Sequence, residues 1–105
     1  MDEYVCITII SKLDEQRTEF AARLSRFWTG MLRDRKGEFE KVYAETTAFE
    51  VTDGRLSRQY LARTDVVGLL ETEMKAAGME YRPIDSDELF SKYEAVSPEW
   101  MQIEH

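Results

Sequence analysis

The chain has 105 residues, 43% of them hydrophobic and 33% charged, and a formal net charge of −7, which excludes a disordered segment and leaves one domain over residues 1–105 as the expected organisation. Residues 1–63 hold 11 acids and 11 Lys/Arg, and residues 64–105 hold 10 acids and 3 Lys/Arg. An acidic C-terminal third is the wrong sign for gripping phosphates, and no apolar run reaches the roughly 20 residues of a bilayer span, so neither nucleic acid nor a membrane is expected as a partner.

The opening "MDEYVCITIISK" has acids where a signal peptide needs bases, so a cytoplasmic protein is expected. Cys6, the only cysteine, agrees with a reducing compartment. Residues 4–11 are β-branched and apolar on both alternations, the pattern of a central strand: Val5, Ile7 and Ile9 on one face, Tyr4, Cys6, Thr8 and Ile10 on the other. Residues 14–35 predict a long helix capped by Asp14 or Ser11. Phe20, Leu24, Phe27 and Met31 form its buried stripe, widened by Ala21 and Trp28. Glu15, Glu19 and Arg23 are placed to pair on the wet side.

Residues 40–51 and 56–63 predict a hairpin closed by Asp53-Gly54, in a register pairing Val51 with Leu56, Phe49 with Arg58 and Thr47 with Tyr60. Residues 65–77 predict a second helix, capped by Thr64 or Asp65 and ended at Gly78, with Val66, Val67, Leu70, Met74 and Ala77 inward. Residues 79–84 predict a last strand, placed at an edge by Pro83. A helical tail is expected over 85–105: a short helix at 86–94 (Leu89, Phe90 and Tyr93 inward), then a turn opened by Ser97 and Pro98.

The order βαββαβ resembles the ferredoxin-like α+β sandwich, an analogy of topology that rests on no motif. It implies an antiparallel sheet with both helices on one face and the first and third strands central. The hairpin faces are mixed. One carries Tyr43, Glu45, Thr47, Phe49, Val51, Leu56, Arg58, Tyr60 and Ala62; the other carries Val42, Ala44, Thr46, Ala48, Glu50, Ser57, Gln59, Leu61 and Arg63. Large helix side chains want small ones opposite, and the first face would bury Glu45 and Arg58, so the second is expected to be core. The open face would then gather Tyr4, Tyr43, Glu45, Phe49, Arg58 and Tyr60, too apolar to stay bare on a soluble monomer.

Known catalytic constellations are not expected. The only histidine is the terminal His105, and Cys6 has no histidine beside it in sequence to activate it. The five glycines are scattered without a phosphate-loop spacing. The cluster "DSDE" at 85–88 reads as a helix start rather than a metal loop. Arg23, Arg26 and Arg33 fall near one side of the first helix but are interspersed with Glu15, Glu19 and Asp34, which reads as a solvated, salt-bridged face. No metal and no cofactor is expected.

The expected function is a non-enzymatic interaction module that homodimerises, or binds another protein, through the open sheet face. The alternative is a cofactor-free enzyme or binder of small anionic or aromatic molecules, analogous to dimeric α+β barrels. Glu45 and Arg58 are its weak catalytic candidates, with Tyr43 and Tyr60 beside them: a carboxylate among aromatics can act as acid or base, and an arginine can hold an anion. The plainer reading of Glu45 and Arg58 is an ion pair inside a dimer interface. A third reading uses the acidic residues 64–105 to neutralise a basic partner.

Overall fold

Two strands, β1 (Tyr4–Ile10) and β4 (Arg55–Arg63), form the centre of the sheet and pair antiparallel along their whole length, from Tyr4 opposite Arg63 to Ile10 opposite Ser57. The computed structural model describes residues 4–45, 50–52, 54–84 and 100–102. Its elements run β1, α1 (Arg17–Asp34), α2 (Lys36–Phe39), β2 (Val42–Glu45), β3 (Glu50–Thr52), β4, α3 (Thr64–Ala76), β5 (Glu80–Ile84) and β6 (Trp100–Gln102). The architecture is α+β, an antiparallel sheet in the order β5-β1-β4-β2-β6 with β3 also on β4. β5 is an edge strand carrying Pro83, as expected. Three features depart from the βαββαβ expectation. A one-turn helix, α2, follows α1; the first hairpin strand is divided into β2 and β3; and Trp100, expected in a helical turn, lies in β6, which pairs with β2. The helix expected at 86–94 lies outside the described residues.

The helices pack on one side of the sheet. Phe20, Leu24, Trp28 and Met31 of α1 and Val66, Leu70 and Met74 of α3 form one cluster with Ile7, Ile9, Val42, Tyr60 and Ala62 of the sheet. The buried stripe of α1 is the one its periodicity predicts, with Phe27 half-buried. On α3 Ala77 is exposed instead, because the helix ends one residue earlier.

Tyr60, Ala62 and Leu56 therefore face the helices, which corrects the expected hairpin core. The cause is register. Val51 pairs with Leu56 as expected, but Tyr60 pairs with Ala44 and not with Thr47. From Ala44 to Glu50 the chain advances six residues, while β4 advances three, from Tyr60 to Ser57. A slip of three is odd, and an odd slip exchanges the faces. Val42 is thus core, as expected, together with Tyr60 and Ala62 from the face expected to be open.

The other sheet face is closed as well. Cys6, Ile10, Ser57, Gln59 and Leu61, all pointing away from α1 and α3 by alternation, are buried within the single chain. The bare apolar face expected to seek a partner is not present at the central strands.

Local chemistry sets the element ends. Gln16, not Asp14 or Ser11, caps α1, and its backbone N–H donates to Glu19 Oε1 (3.3 Å). Past Ala77, Gly78 takes φ +69°, its N–H donates to the Lys75 carbonyl, and Met79 N–H donates to the Met74 carbonyl: a Schellman ending. Ser11 finishes β1. Its hydroxyl accepts the Leu56 N–H (2.9 Å), which frees its carbonyl to accept Arg55 Nε (2.8 Å) and Nη2 (2.6 Å). Arg55 Nη2 also donates to Glu80 Oε1 (2.6 Å), so one guanidinium ties the ends of β1, β4 and β5.

Candidate functional site

The residues singled out from sequence do not assemble. Tyr4 and Tyr43 meet edge to face, 6.0 Å between centroids, on the side away from the helices. Tyr60 is on the opposite side, sealed in the core, with its ring 4.9 Å from Trp28. Arg58 is half-buried with its guanidinium 5.8 Å from the Tyr60 ring. Burial raises the Tyr60 phenol above its usual 10.0, against the opposing influence of Arg58 and Trp28. Glu45 is placed by its backbone alone, in β2 opposite Trp100. Phe49, the cluster at 85–88 and His105 lie outside the described residues. Among the described residues, no three His, Cys, Asp or Glu side chains gather as a metal site.

What the structure does assemble is the loop between β1 and α1. Ser11 pins its start through Leu56 and Arg55. Glu15 N–H donates to the Lys12 carbonyl (3.1 Å) and Lys12 N–H donates back to Glu15 Oε1 (2.9 Å). The Glu15 carboxylate takes Arg23 in a two-pronged ion pair, Nε to Oε2 and Nη2 to Oε1, both 2.7 Å. Sequence spacing put Glu15 in the helix; it precedes it, and so reaches eight residues ahead. Arg23 holds the Glu15 carboxyl below its ordinary 4.5, with Lys12 N–H adding to the effect and burial opposing it. Between these anchors Asp14 stands at φ +64°, a left-handed conformation that Asp tolerates better than most residues. The loop thereby holds Leu13 in water, 71% exposed.

Leu13 overlooks an open groove of about 470 Å³ lined by Lys12, Asp14, Glu15, Glu19, Ala22, Arg23 and Arg26. The groove follows the outward side of α1, where Glu19, Ala22 and Arg26 recur at three and four residues opposite the buried stripe. Arg33 is taken by its neighbour Asp34 (2.9 Å) and Arg23 by Glu15, whereas Arg26 forms no ion pair among the described residues. Val51, 66% exposed, lies at the same end of the sheet, since Ser11 and Val51 both adjoin Leu56. A smaller slot of about 280 Å³ opens between the C-terminal turns of α1 and α3, lined by Phe27, the half-buried Gly30, Met31, Arg35 and Glu73.

Leu13 carried one legible signal, a large apolar residue between Lys12 and Asp14 that belongs to neither the strand nor the helix pattern. No known family, curated protein or solved structure matches this chain. No described helix is long and apolar enough to cross a membrane.

Proposed function

We propose that the protein is a non-enzymatic interaction module whose partner binds the β1–α1 loop and the outward side of α1, rather than the sheet face. The observation that carries this reading is Leu13: an apolar side chain held in water by a loop fixed at both ends. Covering such a side chain favours association by about 1.5–3 kcal/mol, and a loop already ordered loses little freedom when it binds. The small-anion pocket around Glu45, Arg58 and Tyr60 is not carried forward, because Tyr60 lies sealed beneath Trp28. The buried thiol of Cys6, the chain's single cysteine, fits a reducing, cytoplasmic setting. In fold, the order β5-β1-β4-β2 supports reading the sheet as a ferredoxin-like arrangement widened by β6.

A photo-crosslinking side chain at position 13, with one at the exposed Lys75 of α3 as control, tests the surface in cells. Discrete adducts from position 13 that are missing at position 75 are expected. The same adducts from both, or none from either, would overturn the reading.

A further inference from the structure

We draw no further inference here: the strongest candidate, the open groove beside Leu13 along the outward side of α1, belongs to the surface already described, and nothing in the structure shows what covers it.

Discussion

Tyr60 of β4 packs its ring on Trp28 of α1, centroids 4.9 Å apart and planes inclined by 46°, and with Phe27 and Phe39 beside Trp28 the contact joins helix to sheet at the middle of the core. Truncation to Tyr60→Ala removes a fully buried ring and should cost about 3–5 kcal/mol in urea unfolding, the range for large aromatic deletions. Tyr60→Phe keeps the ring and should cost about 1 kcal/mol or less at pH 7. The two should separate again in alkali. Burial raises the folded phenol above 10.0, so its neutral form gives stability that is whole below pH 10.0 and falls as pH rises past it toward the raised value. Thermal melts from pH 8 to 11.5 should show Tyr60→Phe losing less stability than the native chain. Parallel curves would mean that the phenol is not held neutral by the fold.

The same residue shows where the sequence was readable. The helix stripes, the antiparallel sheet, the central strands and the edge position of Pro83 all follow from periodicity and backbone chemistry, and all are present. The side on which Tyr60 sits is not encoded that way. It depends on whether 46–49 counts an odd or an even number of residues against β4, and alternation is silent on a break in its own count. The candidate surface was hidden for a related reason. Leu13 belongs to no periodic pattern, and its exposure follows from hydrogen bonds that Ser11 and Glu15 make with residues distant in sequence.

Ser11 makes a bond that a backbone carbonyl would ordinarily make, accepting the Leu56 N–H through its hydroxyl while wholly buried. Ser11→Ala leaves that N–H without an acceptor and should cost about 1–2 kcal/mol. The matching local signature is faster hydrogen exchange at the Leu56 amide, with the amides of α3 unaffected. An unchanged Leu56 exchange rate would show that the hydroxyl is not its acceptor.

Gly78 is a second point where one atom decides the backbone. Its φ of +69° belongs to the left-handed region, and no atom lies within 4 Å of where a Cβ would stand. Gly78→Ala should therefore pay only the conformational penalty, about 1 kcal/mol, and Gly78→Asn less. Denaturation midpoints of the pair test this; equal losses would point to crowding rather than to conformation.

Glu15 links stability to the proposed surface. Its carboxyl is held below 4.5 mainly by Arg23, so the ion pair contributes stability that is present above pH 4.5 and lost as pH falls through the lowered value. Glu15→Gln removes that contribution. At pH 7 the variant should be less stable by about 1 kcal/mol, a modest figure because part of the pair is open to solvent screening. The difference should narrow below pH 4.5 and vanish once the native carboxyl is protonated. A difference that stays constant down to pH 2 would assign the loss to packing instead of charge. Because Glu15 also accepts the Lys12 N–H, the same substitution should loosen the loop that presents Leu13. Faster exchange at the Lys12 amide, accompanied by weaker association at pH 7 and not by any change in the Trp28–Tyr60 core, is the expected pattern. If association is undiminished while the loop loosens, the ordered loop is not what prepares Leu13 for its partner.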